Sequence, residues 1–300
     1  MPQGIYLPEA MLEESVVPLQ EAWGSEQILR GRTAVCTPQH DLVIQYGTKR
    51  LCMEREETAS GIREGKTRDI AILSRVGKPI CFRVLDNTGD TPIISRRIVQ
   101  EEAKNAFLNG ALEPGEIIQT VVTHLEPFGV FVDIGCGVTS LIGIENISVS
   151  RIRHPAQRFA LHQQVPAVVT AIDRTRGHVL LSHRELLGTW EENAAQFTPG
   201  QAVEGIVRSV ENYGIFVELT PNLSGLAEYR AGIRPGDSVS VFVKSIIRDR
   251  MKIKLAILDT LPEREPQPLT PGDYFTWSGR LRRWQYSPEG CQKQIYTDFT

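Results

Sequence analysis

EPFGVFVDIG, residues 126–135, returns 85 residues later as ENYGIFVELT, residues 211–220. The offset holds without a gap from 115–143 to 200–228, matching Gly115 to Gly200, Phe128 to Tyr213, Phe131 to Phe216 and Leu141 to Leu226. A second block then aligns 165–182 with 239–256 at an offset of 74, so the later copy is eleven residues shorter between the blocks. The chain therefore carries a repeated module. A deletion of that kind belongs to a surface connection rather than a strand.

Within the first complete copy, IIQTVVTHL, FGVFVDIG, SLIGI, VPAVVTAID and HVLLSH read as strands, with a helical connection expected between Val149 and Leu161. Five short strands in about 70 residues favour a small closed barrel, because closure removes edges that would otherwise need protection. The second copy, from Gly200 to about Asp259, has the same order, and its EYRAGIRPGD connection is too short for a comparable helix. ISRRIVQEEAKNAFLNGALEPG and LSHRELLGTWEENAAQFTPG each leave a strand, turn helical in pattern and finish at Pro-Gly, as ordered linkers would. Residues 28–95 read as an earlier, worn copy, with LVIQY, KRLCM, PICFRVLD and PIIS as strands and no FGxF equivalent. After a proline-rich connector, the tail from Asp273 carries seven aromatics and turn signals, as a small β appendage would. Packing of those aromatics against the last barrel is the plain reading, and a partner-binding surface is the alternative.

The expected architecture is mainly β, with three tandem five-stranded OB-type barrels, the first degenerate, joined by short helices. The expected boundaries are an N-terminal extension 1–27, barrels 28–97, 114–183 and 199–259, helical linkers 98–113 and 184–198, and the connector and tail 260–300.

Three hundred residues at 41% hydrophobic suit several folded modules. No apolar run is long enough to span a bilayer, and MPQGIYLPEAMLEES lacks the regions of a secretion signal, so the expectation is a cytoplasmic protein without a membrane partner. The five cysteines form no CxxC pair and read as buried thiols. A net charge of −3 argues weakly against a nucleic-acid partner. Its distribution softens the point, since residues 1–30 hold five acids and one arginine, whereas 31–98 hold twelve Lys or Arg against eight acids.

Strict alternation sends Phe128, Val130 and Val132 to one side of a strand and Gly129, Phe131 and Asp133 to the other. Both rings share a face only if a bulge or strong coiling intervenes near Gly129, and a glycine there would let a flat base lie close. The bland alternative is that one ring completes the core. Small five-stranded barrels bind oligonucleotides on strands two and three, so Phe128, Phe131, Tyr213 and Phe216 are the expected stacking residues. Arg174, Arg176 and His178, with Arg248, Arg250, Lys252 and Lys254, cluster near the strand four to five connections, where they can meet phosphates. Lys244 is a weaker addition, and His124 is a further candidate for an RNA-facing side chain. An ordinary solvated hairpin tip explains each basic residue taken singly.

Gly115, the Phe128-Gly-x-Phe131-Val-Asp-Ile-Gly run, a glycine-bearing third strand and the closing LSHRE resemble the S1 RNA-binding domain family. Residues 115–183 and 200–258 carry the resemblance well, 28–97 faintly, and the helix-linked series resembles short bacterial relatives of ribosomal protein S1. The resemblance implies OB-type barrels, single-stranded RNA as ligand, no cofactor, and a connection with the ribosome or a translation-associated protein. Phe128 with Phe131, and Tyr213 with Phe216, fall on the family's two strand-two aromatic positions. The family's third-strand histidine is Gly143 in one copy and Glu228 in the other. A carboxylate at Glu228 would repel phosphate and weaken the last barrel. The strand-four acid is Asp173 but becomes Ile247, and the basic residue opening strand five is His178 or Lys252.

No nucleophile elbow, P-loop, dinucleotide fingerprint or metal-binding histidine motif is present in the sequence, so neither a catalytic nor a metal site is expected. Binding is the expected mechanism, with several weak modules sharing one strand. The competing reading is a structural adaptor that holds a protein partner through module one or the aromatic tail.

Overall fold

In a computed structural model describing residues 7–14, 16–262 and 265–299, three β units follow one another along the chain. The first contains β1 Leu29–Cys36, β2 Leu42–Tyr46, β3 Lys49–Met53, β4 Pro79–Asp86 and β5 Ile93–Ser95, in the order β3-β2-β1-β4-β5. The second contains β6 Ile117–Glu126, β7 Gly129–Asp133, β8 Thr139–Gly143, β9 Gln164–Asp173 and β10 His178–Ser182. The third contains β11 Ala202–Glu211, β12 Gly214–Thr220, β13 Leu223–Ala227, β14 Ser238–Ile247 and β15 Lys252–Thr260. Both later sheets are closed barrels. Parallel pairing of the third strand with the fifth closes them, through Ile142 with Leu181 and Leu226 with Lys254. The first sheet has the same internal order but remains open, which is the form its degeneracy takes.

Alternation fills the barrels as the sequence pattern requires: Val130 and Val132 point inward on β7, as do Ile215 and Val217 on β12, all fully buried. The linkers are helical. Arg97–Ala106 runs into a π turn at Phe107–Ala111, and Trp190–Ala194 begins with a capping box between Thr189 and Glu192.

The expected helix between Val149 and Leu161 is absent. Only Pro155–Gln157 is helical, as a single 3₁₀ turn. Pro155 disfavours a helical conformation in the residue before it, and the N–H groups ahead of it are engaged elsewhere. Val149 N donates to Asn222 Oδ1 at 2.9 Å and Ser150 N to Pro221 O at 3.1 Å. The connection that is eleven residues longer than its counterpart in the later copy thus helps dock the second barrel onto the third.

Two buried carboxylates hold the neighbouring units. Glu9 accepts from Arg96 Nε at 2.6 Å and Arg75 Nη1 at 3.2 Å, while its own N–H donates to Asp133 Oδ2 at 2.8 Å. Burial raises the Glu9 carboxyl, but the Arg96 charge and hydrogen bond, the Arg75 charge and the Cys81 N–H together outweigh it and leave the pKa below the ordinary value. Asp133 has no such direct cation among the described residues, and burial with the Glu9 charge pushes it to about 7. Between barrels two and three, Glu218 accepts from Arg158 Nη2 at 2.6 Å and from Arg208 Nε at 2.7 Å. Residues 1–6 and 15 of the acidic extension lie outside the described residues.

The tail returns across both barrels rather than standing apart. Gly279 O accepts from Ile117 N at 2.9 Å, and Gly115 O accepts from Leu281 N at 2.8 Å. β16 Arg283–Gln285 and β17 Tyr296–Asp298 form a short hairpin, and Trp284, Tyr286 and Phe299 are buried against the third barrel. Tyr274 reaches the fully buried His183, whose Nδ1 lies 2.8 Å from Ile147 O and Nε2 3.0 Å from the Tyr274 hydroxyl. The neutral ring therefore donates through Nδ1 and accepts at Nε2.

Burial lowers the His183 pKa from 6.5 to about 4, so across that interval the unfolded chain binds a proton that the folded chain does not. Stability falls as pH falls through the window. Urea unfolding between pH 6.5 and 4 is expected to cost the wild type about 3 kcal/mol more than His183→Gln; equal losses in the two proteins would contradict the assignment.

Candidate nucleic-acid interface

Both aromatic pairs are assembled by a tight hairpin. Glu126 pairs with Gly129 and Glu211 with Gly214, so Pro127-Phe128 and Asn212-Tyr213 are two-residue turns. Phe128 therefore lies in the turn and not in the strand where the sequence pattern placed it. Alternation is kept: Phe131 points outward from β7, while Phe128 comes to it from the turn. The ring centroids are 5.9 Å apart at 87°, and Tyr213 and Phe216 repeat this at 6.2 Å and 87°. The extra residues in these pairings fall on the partner strands, at Thr123 and Arg208.

Phe128 is 55% exposed and Tyr213 71%, whereas Phe131 and Phe216 are half-buried. Perpendicular rings cannot both lie parallel to one nucleobase. Each pair thus sets a half-buried strand ring edge-to-face against a more exposed turn ring.

The glycines have a packing task that the sequence pattern did not show. A Cβ on Gly129 would stand 2.4 Å from Ile142 O, and one on Gly214 would stand 2.5 Å from Ala227 O. The third-strand backbone passes there, so only glycine lets the hairpin sit down on it.

Barrel closure extends each platform. Phe216 pairs with Leu226, and Leu226 pairs with Lys254, giving a ring, an exposed alkyl group and a cation across three strands. Lys252 is exposed one outward position before Lys254. The equivalent row in the second barrel runs from Phe131 to Leu141 and then to the exposed Leu180, with His178 in the place of Lys252. The second face is therefore more apolar.

The other predicted cations are more scattered. Arg174 and Arg176 are exposed in the β9–β10 turn, and Arg174 Nε donates to Leu108 O at 2.8 Å, tying this turn to the helical linker. Arg176 N donates to Asp173 Oδ1 at 2.9 Å, which shapes the turn itself. Arg248 and Arg250 are exposed in the β14–β15 turn. Lys244 Nζ donates to Glu228 Oε1 at 2.8 Å, and this bond holds the Glu228 carboxyl below its ordinary pKa. The carboxylate expected to repel phosphate is thus partly neutralised, with Lys244 engaged in doing so. His124, exposed on β6 opposite Phe131, has its pKa lowered by burial and by the charges of Lys78 and Arg75.

Sequence reasoning missed three contributors. The Glu145 carboxylate occupies the space beside Gly143, where a Cβ would come within 2.5 Å of it. Arg151 and Lys293 line a cavity of about 500 Å³ beside Tyr213 and Phe216. Neither belongs to the repeated strands, so periodicity carried no signal for them.

Residues 111–184 match the family model of the S1 RNA binding domain. The small ribosomal subunit protein bS1 of Staphylococcus aureus strain COL is 29% identical over 270 residues, covering 84% of this chain and 67% of that protein. The protein of the same name from Leuconostoc lactis is 32% identical over 190 residues, covering 58% and 44%. Among solved structures, a multidomain protein with nucleic acid binding domains from Streptococcus pneumoniae aligns over 78% of this chain and 73% of its own at 15% identity and a TM-score of 0.25. GSP13 from Bacillus subtilis aligns over 30% and 62%, at 23% identity and a TM-score of 0.23.

Because a Cβ at Gly214 collides with backbone, Gly214→Ala is expected to lose about 1–3 kcal/mol of stability and to separate the Tyr213 and Phe216 rings. Denaturant titration and ring-to-ring NOEs test this; unchanged stability with the NOEs retained would refute the packing role.

Proposed function

We propose that this S1-domain protein, similar over most of its length to bacterial ribosomal protein S1, binds single-stranded RNA without catalysing a reaction on it. The observation that carries the reading is the row Phe216, Leu226 and Lys254 beside the exposed Tyr213, which joins a stacking surface to a phosphate contact on one closed barrel. Phe128 and Phe131 supply a second platform in the barrel before it. Bases in a duplex are already stacked and leave no face for such a platform, so an unpaired strand is the preferred form. Stacking also explains tolerance of sequence, because every base has a π face.

The phosphate contacts in this reading come mainly from Lys252 and Lys254, with Arg174, Arg176, His178, Arg248 and Arg250 on the adjoining turns. Similarity to ribosomal proteins supports a role in translation, with the ribosome or a translation-associated protein as partner and the cytoplasm as location.

Fluorescence anisotropy of a labelled, unstructured RNA of about 20 nucleotides, at two salt concentrations and beside a duplex of equal length, tests the proposal. The single strand is expected to bind more tightly, with affinity falling as salt rises. Phe131→Ala with Phe216→Ala is expected to lose about 1–3 kcal/mol per stacked base, or roughly 5- to 150-fold for each. Equal affinity for duplex, or no binding at low salt, would sink it.

A further inference from the structure

We propose that the cavity beside Tyr213 and Phe216 is a composite phosphate site, which takes the sugar–phosphate backbone of the strand whose base stacks on the third barrel. The inference rests on the RNA-binding reading and adds a subsite contributed by three separate parts of the chain. The cavity, about 500 Å³, is walled by β11 and the two rings, by Arg151 from the connection of the second barrel, and by Lys293 from the tail. That volume falls within the roughly 300–1,000 Å³ typical of small-ligand sites.

Charge selects an anionic occupant. Arg208 also lines the cavity, but it is committed to Glu218 through bonds of 2.7 and 2.8 Å. Arg151 and Lys293 are exposed and have no ion-pair or hydrogen-bond partner for their side chains among the described residues. Glu211 is the lining carboxylate set against them. The two uncommitted cations therefore outnumber the one acid at a place where the aromatic platform already fixes a base.

Both cations stand on anchored backbone. Ahead of Arg151, Val149 N donates to Asn222 Oδ1 at 2.9 Å, Ser150 N donates to Pro221 O at 3.1 Å, and the Ser150 and Ser224 hydroxyls lie 2.8 Å apart. Around Lys293, Ile295 N donates to Ser287 Oγ at 2.8 Å and the Tyr286 hydroxyl donates to Asn222 O at 2.5 Å. Asn222 thus serves both walls, accepting from one through its side chain and from the other through its carbonyl. Walls held in this way reduce the ordering cost of binding.

The arrangement places phosphate contacts on both sides of the platform. The cavity opens on the β11 side of Phe216, while Lys254 lies across β13 on the other side. A strand crossing Phe216 meets a cation before and after its stacked base. The second barrel takes part in the third barrel's site through Arg151, so the two barrels bind as one surface.

The test uses the full chain and the single-stranded RNA above. Arg151→Ala with Lys293→Ala is expected to reduce the magnitude of the slope of log affinity against log salt by about 1.4, since each lost single-strand phosphate contact removes roughly 0.7. Arg153→Ala removes an exposed cation of the same connection that does not line the cavity, and should leave the slope unchanged. If Tyr213→Ala with Phe216→Ala weakens binding while the double cation variant keeps the wild-type slope, the composite site is wrong and the RNA reading stands. A slope reduced equally by Arg153→Ala would also overturn it, as diffuse charge would then account for the effect. A wild-type chain that binds no RNA would overturn both.

Discussion

Parallel pairing of the third strand with the fifth is the contact that brings aromatic and fifth-strand residues onto one face of each closed barrel. Antiparallel neighbours can form a sheet in the order β3-β2-β1-β4-β5 without it, as the first unit does, and still bury a core that includes Leu42, Ile44, Ile80 and Phe82. In the open sheet the third and fifth strands approach each other but are not hydrogen-bonded neighbours. In the third barrel, Leu226 against Lys254 brings the fifth-strand cations beside second-strand rings that are remote in sequence. In the first unit the fifth strand is only Ile93–Ser95, too short to offer a comparable row. Closure and the aromatic hairpin occur together in the second and third units.

The units are joined by buried carboxylates rather than by extended apolar interfaces alone. Glu9 with Arg75 and Arg96, and Glu218 with Arg158 and Arg208, each place one acid between two arginines. Such groups repay their desolvation only when the geometry is good, whereas losing one partner of such a pair is strongly destabilising. Removing either acid would leave buried guanidinium groups without their main partner. With the tail bonded to both barrels, the faces of the second and third stand at a fixed separation. On the proposed reading, a strand shared by the two faces gains from preorganisation as well as from multivalency.

The repeat made the barrels legible, because inward alternation and glycine punctuation are local signals that survive in each copy. The pairing of rings was legible too, but its cause was not. A pattern of alternating residues cannot reveal that Phe128 belongs to a two-residue turn, nor that Gly129 answers to a carbonyl on β8, since both facts depend on strand register. The segment 149–161 misled for a related reason: its N–H groups are satisfied by the third barrel, and only tertiary structure supplies those acceptors. The same holds for the neutralisation of Glu228 by Lys244, two residues 16 positions apart that barrel curvature brings together.

The formal charge of −3 is a poor guide to what an approaching strand would meet. Among the described residues, Glu9, Glu57, Asp133, Glu185 and Glu218 are buried, against the buried Arg83, Arg96 and Arg158, so the acids are withdrawn from the surface in excess. What remains is unevenly spread between the two faces. The second barrel presents Leu141 and Leu180 with His178 beside its rings, and Glu145 close to Gly143. The third presents Lys252 and Lys254 on one side of its platform, with Arg151 and Lys293 on the other. Salt screens the charged contacts far more than the apolar ones. On the proposed reading, the third barrel supplies the salt-sensitive grip and the second the stacking that persists when screening is strong, and a rigid junction lets one strand use both.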